Sequence, residues 1–364
     1  MAGDIPSIPG VEVPKYAAFG LRRVLADVLG LGRQSFPGSQ PVSFTARQSM
    51  AQLMSEDYLV CEKSDGVRVL LVLLADRGSG GAPLTYVVTR KNEYFLVPGA
   101  PFPSLDGGFH DGTVVDAELV VDVEPDGRRV RRLLGFDTLA VGRTVVMARP
   151  LTERLDLLRT QVFEPFAQMR RALSPAQAAE LPFEAEVKTF RPSYEAAVIQ
   201  HQVIPHLLHQ NDGLIFTSVD APYVPGTCDK IIKWKPACEN SVDFRARLMP
   251  DGRSVMLSIW RGRDDYVDHE LLAARDEDWP LLLPAGGPPI DGRVIEAAYD
   301  PAYAPPARWR FLRFRDDKEH GNHSSVVTKI IESINDSMEL DRLLAAMGEV
   351  KLSWMRRHPH HHMA

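Results

Sequence analysis

Between residues 58 and 136 the chain alternates short apolar runs with turn residues. The stretches 67–74, 84–89, 114–123 and 129–136 have strand length and β-branched content, and Glu124-Pro125-Asp126-Gly127 reads as a hairpin turn. Residues 151–171 and 194–209 carry helical patterning, with Thr152 and Ser193 as candidate N-caps and Pro165 and Pro205 as kinks. Strands resume at 214–218 and 230–234. After Pro236 the pattern changes: Val242, Phe244, Ala246 and Leu248 alternate with Asp243, Arg245 and Arg247, an Asp251-Gly252 turn follows, and 254–260 completes a hairpin. This opens a second, all-β domain ending near Arg315. Five or so strands in about 75 residues fit a small closed barrel of the OB kind. Arg308 and Arg310 alternate with Trp309 and Phe311, then the phase slips at Leu312 before Arg313 and Arg315, which predicts a β-bulge. The end of the chain is helical, with apolar stripes at Val326, Val327, Ile330, Ile331 and Ile334 and at Leu343, Leu344 and Met347.

A length of 364 residues fits two domains. We place them at 1–238 and 239–320, with a helical segment and tail over 321–364. The formal net charge of -6 argues against a protein that coats nucleic acid by bulk electrostatics, so any positive site must be local. Three cysteines, without C-x-x-C spacing, make neither a disulfide framework nor a structural zinc site. The longest apolar run, 69–75, is far short of the ~20 residues a membrane helix needs, and the opening MAGDIPSIPG has no basic or apolar leader pattern. A soluble intracellular protein without membrane partners is the expectation. The final HPHHHMA reads as a solvated tail rather than a metal site.

Chemistry concentrates in Glu62-Lys63-Ser64-Asp65-Gly66-Val67-Arg68, a lysine at a strand end followed by a tight turn. Taken alone, this is equally the pattern of a solvated turn. A lysine nucleophile must attack as the free amine, and nearby cations or burial favour that form. Further charged strand ends follow in order: Thr89-Arg90-Lys91-Asn92, Asp116-Ala117-Glu118, Asp212-Gly213-Leu214, Lys233-Trp234-Lys235-Pro236 and Arg313-Phe314-Arg315-Asp316-Asp317-Lys318.

These six stretches resemble, in order and spacing, the collinear motifs of the covalent nucleotidyltransferase superfamily of mRNA guanylyltransferases and polynucleotide ligases. Phe36-Pro37-Gly38-Ser39, Gly135-Phe136-Asp137, residues 230–236 and 312–322 make the chain most similar to the fungal-type mRNA guanylyltransferases. Ala117 stands where that family usually has glycine, and Thr89 where an acidic residue is common. The resemblance implies an α+β fold: a mixed nucleotidyltransferase domain with antiparallel sheets, a C-terminal OB-fold barrel and terminal helices, with the site in the cleft between the domains. It implies that Lys63 attacks the α-phosphate of GTP, forms lysyl-GMP and releases pyrophosphate. GMP then passes to the 5′-diphosphate end of RNA.

Carried over position by position, Arg68, Arg90 and Glu118 would hold the ribose and adjacent phosphate. Phe136 would stack on guanine and Lys188 would contact its carbonyl. Lys233 and Lys235 would serve the α-phosphate. Asp212 would bind Mg²⁺ or Mn²⁺, through water. Arg313, Arg315, Asp317 and Lys318 would act on the β- and γ-phosphates. Implied partners are RNA, a separate RNA 5′-triphosphatase subunit and the phosphorylated C-terminal domain of RNA polymerase II, and the implied location is the nucleus. An ATP-dependent polynucleotide ligase shares the lysine chemistry but transfers AMP; the Lys-Trp-Lys-Pro run and the Asp-Asp-Lys ending favour capping. A non-catalytic OB-fold RNA-binding protein would be expected to have lost its nucleophile, whereas Lys63, Lys233 and Lys235 are all present.

Overall fold

The computed structural model describes residues 6–76 and 78–359; the first five residues and the histidines at 360–362, read above as tail, lie outside them. The chain forms two compact units. One takes residues up to 42, 51–234 and those from 346 onward; the other takes 43–50 and 235–345.

The first unit is built on two sheets. Strand β1 (Tyr58–Ser64) belongs to one and β2 (Val67–Asp76) to the other, so the Asp65-Gly66 turn carries the chain between them. A Cβ on Gly66 would sit 2.4 Å from the Leu119 carbonyl oxygen, so only glycine fits this crossing. The larger sheet continues with β3 (Ala82–Thr89), β4 (Thr113–Val123), β5 (Arg129–Val141) and β6 (Glu184–Val187). Within it β3, β2, β4 and β5 run antiparallel in that order, and β6 joins β5 in parallel. The smaller sheet places β1 beside β7 (Asn211–Ser218), which pairs with β8 (Gly226–Trp234).

Apolar residues run without interruption along β2 because both faces are covered. Val69, Leu71 and Leu73 enter one core with Phe102, Phe163 and Phe166; Leu70, Val72 and Leu74 enter another with Leu25, Val28 and Tyr94. Each such side chain contributes roughly 1.5–3 kcal/mol by leaving water. Helix α1 (Lys15–Leu29) supplies Ala18, Leu25, Val28 and Leu29 to the second core and ends at Gly30, whose φ of 64° suits glycine. Helix α2 (Leu151–Leu157) runs on into a π-helical segment (Leu158–Phe163) and α3 (Glu164–Ala172), and the latter two supply Leu158, Val162, Phe163 and Phe166 to the first core.

Two helical expectations need correction. The 151–171 helix starts after Pro150, which makes no side-chain cap, so Thr152 is not its N-cap. The 194–209 stretch is not one helix but a series of short 3₁₀, α and π turns from Ser193 to His206, starting after Pro192 and ending beyond Pro205. Proline lacks the N–H donor that a regular helix needs at such a position.

The second unit centres on β9 (Ser241–Leu248), β10 (Val255–Gly262), β11 (Asp265–Leu271), β12 (Val294–Tyr299) and β13 (Trp309–Phe314). Their order is β11-β10-β9-β12-β13, all antiparallel. The two edges also meet: Leu272 bridges Trp309 in parallel, and Ala273 N–H donates to the Trp309 carbonyl at 2.8 Å. The interior holds Val242, Phe244, Ala246, Leu257, Ile295 and Trp309, and α4 (Ser324–Asn335) adds Val327 and Ile334. Helix α5 (Leu340–Arg357) follows and from residue 346 belongs to the first unit, in which His358, just past the helix, pairs with Asp57 at 2.5 Å. No helix among the described residues is long and apolar enough to cross a membrane.

Candidate active site

A register slip sets the position of Asp212. Ser64 pairs with Asn211 and Glu62 with Leu214, so Lys63 alone on β1 faces both Asp212 and Gly213 on β7. This bulge requires Gly213 at φ 146° and re-aims Asp212. Lys63 Nζ donates to Asp212 Oδ1 at 2.6 Å, with both side chains largely but not fully buried.

A second bulge presents Phe136. Asp116 pairs with Asp137 and Ala117 with Gly135, leaving Phe136 as the extra residue on β5. Its half-buried ring lies 5.5 Å from the Arg68 guanidinium carbon and 5.9 Å from Lys188 Nζ. Asp137 anchors the bulge by taking two bonds from the buried Arg154, at 2.7 and 3.0 Å. Ala117, at the position where glycine was usual, is fully buried in the core beside it.

Arg68 is held rather than free. Its Nε and Nη2 donate to Asp116 at 2.9 and 2.5 Å, and Nη1 donates to the Ser39 carbonyl. Tyr223 also donates to Asp116, which is fully buried. Burial disfavours the guanidinium charge, but Asp116 outweighs it and raises the Arg68 pKa. Asp116 and Tyr223 had no role in the sequence reading: Tyr223 lies 107 residues from Asp116 and bears no local pattern.

Beside Arg68 on β4 stands Glu118. Burial pushes its carboxyl up to about 7, against the pull of Lys188, Lys63 and Arg68 in that order. Lys188 follows β6 and donates to the Glu62 carbonyl at 3.2 Å and to Ser64 Oγ at 2.9 Å, with the Glu62 carboxylate at 3.4 Å. Burial opposes its charge, yet Glu62, then Cys61 and Glu118, raise its pKa.

Lys233 pairs with Ile215 on the neighbouring strand, and Trp234 is buried. β8 ends at Trp234, so Lys235 lies just past the strand rather than on it. Arg90 is exposed in the turn after β3.

In the second unit the expected bulge is at Leu312: Glu296 pairs with Arg313 and Ala297 with Phe311. Arg313 Nε donates to Glu296 at 2.8 Å. Arg315 reaches Asp243 at 3.2 Å and makes two 2.8 Å bonds to the exposed Asp317, whose pKa the guanidinium lowers. Lys318 also donates to Asp243. The buried Asp243 and the half-buried Glu296 therefore organise this cation cluster, and neither was singled out from sequence.

The carboxylates also bear on metal binding. Among the described residues no three His, Cys, Asp or Glu side chains gather into a metal site. A divalent cation here would need phosphate oxygens as ligands, and Asp212 beside Lys63 is the carboxylate that fits such a shared set.

Comparison with known proteins identifies the family. Residues 4–237 match the family described as mRNA capping enzyme, catalytic domain, and 239–344 match its C-terminal domain. The mRNA-capping enzyme subunit alpha of Yarrowia lipolytica is 38% identical over 375 residues, covering 98% of this chain and 93% of that protein. The Neurospora crassa subunit is 37% identical, covering 96% and 93%, and the Schizosaccharomyces pombe subunit 33%, covering 96% and 89%. A mycobacterial DNA ligase D complexed with ATP and MES covers 77% of the chain and 95% of its own at 16% identity, but its TM-score of 0.42 is too low to weigh. With both family matches in sequence and relatives aligned nearly end to end, the chain belongs to the mRNA capping enzyme family.

Proposed function

We infer that the protein is an mRNA guanylyltransferase. The observation that carries this reading is the 2.6 Å bond from Lys63 Nζ to the bulged Asp212, in a site where Lys188, Lys63 and Arg68 each favour the charged form of the buried Glu118. Such a cluster suits a ribonucleoside triphosphate, whose charge must be neutralised and whose reacting phosphorus must be positioned.

In the first step the Lys63 amine attacks the α-phosphorus of GTP. A P–N bond forms, the bond to the β-phosphate oxygen breaks, and pyrophosphate leaves with the electron pair. Asp212, already at 2.6 Å, orients Lys63 and is the acceptor within reach of its proton. Phe136 stacks on guanine, and Lys188 offers N–H to O6, where adenine has a donor instead. Glu118 accepts from the ribose, with Arg68 and Arg90 on the adjoining phosphate. Lys233 and Lys235 neutralise the α-phosphate. Arg313, Arg315, Asp317 and Lys318 act on the β- and γ-phosphates and orient the leaving group. In the second step a terminal oxygen of the RNA 5′-diphosphate attacks phosphorus, the P–N bond breaks, and Lys63 regains its proton.

Asp212 and the substrate phosphates would together hold Mg²⁺ or Mn²⁺. That ion supplies charge neutralisation at the phosphates.

We assign nucleotidyl transfer to residues 1–238, an OB-type barrel to 239–320 and a C-terminal helical segment to 321–364. The strand order and the parallel Leu272–Trp309 bridge support the barrel. The partners that fit are 5′-diphosphate RNA, a separate RNA 5′-triphosphatase subunit and the phosphorylated polymerase II C-terminal domain, within the nucleus. The test is incubation with α-labelled GTP or ATP and a divalent cation. Acid-labile label from GTP on the denatured chain supports the reading, and label from ATP alone overturns it.

A further inference from the structure

On β1, Glu62 and Ser64 point to the face opposite Lys63. That face holds a chain of polar contacts. Lys188 Nζ donates to Ser64 Oγ at 2.9 Å, Ser64 Oγ lies 3.2 Å from His209 Nε2, and His209 Nδ1 lies 2.7 Å from Asp122 Oδ1. Arg132 closes the far end by pairing with Asp122. Every link is sheltered: Ser64 is 5% exposed, Asp122 5% and the His209 side chain 5%.

The chemistry fixes a direction. Asp122 is an acceptor only, so the proton of a neutral His209 must sit on Nδ1. Nε2 is then an acceptor for the Ser64 hydroxyl at 3.2 Å, and the other acceptor in its reach is Glu62 Oε1 at 3.3 Å. This leaves the Ser64 oxygen lone pairs for Lys188. Burial works against the Asp122 carboxylate, but His209 and Arg132 outweigh it and keep its pKa low, so the acceptor end stays charged. Five separate segments meet here: β1, β4, β5, the residues before β7 and the residue after β6.

We propose that His209, held by Asp122, is a positioning residue that sets guanine selectivity by orienting Ser64 and, through it, the Lys188 ammonium. This rests on the guanylyltransferase reading above. His209 touches no reacting atom. Its effect passes through the one ammonium that would meet guanine O6.

The test compares GTP with 2-aminopurine ribonucleoside triphosphate, which keeps the 2-amino group but lacks O6. Lysyl-nucleotide formation is measured with both substrates for the full-length wild type and His209→Ala. The expected result is a fall of about tenfold in the ratio of kcat/KM for GTP to that for the analogue, the size of one lost hydrogen bond to a charged group. An unchanged ratio overturns the proposal while leaving the guanylyltransferase reading intact. Failure of the wild type to label with GTP sinks that reading instead. If His209→Ala does not fold, Asp122→Asn decides by the same ratio: its amide can donate to Nδ1, shift the proton to Nε2 and misdirect Ser64. A lowered ratio supports the proposal and an unchanged one ends it.

Discussion

Lys63 Nζ and Asp212 Oδ1 are 2.6 Å apart because a two-residue bulge on one strand faces a single lysine on its neighbour. The pairing is specific to the carboxylate: an amide of the same shape keeps the packing but loses the charge. Asp212→Asn is expected to slow single-turnover lysyl-GMP formation by at least about 100-fold, within the range of a positioned acid–base group, with little change in thermal stability. An undiminished rate would remove Asp212 from the chemistry.

Glu118 gives a pH signature. Its carboxyl titrates at about 7 in the folded chain, above the ordinary glutamate value, so the folded state binds this proton more tightly than the unfolded state. The Glu118 contribution to stability is therefore present below the ordinary glutamate pKa and is lost as pH rises toward about 7. Glu118→Gln cannot titrate. Melting of the ligand-free protein between pH 5 and 8 is expected to show the variant gaining on the wild type as pH rises. Parallel melting curves would contradict the assigned environment.

The Arg313–Glu296 pair leads to a separation of the two half-reactions. If Arg313 acts on the leaving pyrophosphate, Arg313→Ala should slow lysyl-GMP formation by about tenfold or more. Transfer from preformed lysyl-GMP to diphosphate-ended RNA should change little, since no pyrophosphate leaves in that step. Rapid-quench measurement of each step checks this. Equal losses in both would count against a leaving-group role.

Much of this was legible where a local signal exists. The doubly covered β2 announced itself as an unbroken apolar run, and the Leu312 bulge as a slip in the arginine alternation. Lys63, Asp212 and Phe136 were singled out through short motifs, although the bulges that aim Asp212 and Phe136 were not visible, since register depends on the partner strand. The carboxylates that hold the cations were harder. Asp116 grips Arg68 across 48 residues, Asp243 grips Lys318 across 75, and Asp122 meets His209 across 87. No sequence period links such pairs; folding alone brings them together. Helical patterning over 194–209 misled because spacing of apolar residues does not reveal which backbone hydrogen bonds prolines interrupt.

The most direct measurement is mapping of the covalent nucleotide. The protein is incubated with GTP and Mg²⁺, denatured without acid, digested, and the GMP-bearing peptide is sequenced by mass spectrometry. GMP is expected on Lys63 through a P–N bond, and folded Lys63→Ala is expected to carry none. GMP on any other residue, or label retained by Lys63→Ala, would contradict the assignment of Lys63 as the nucleophile.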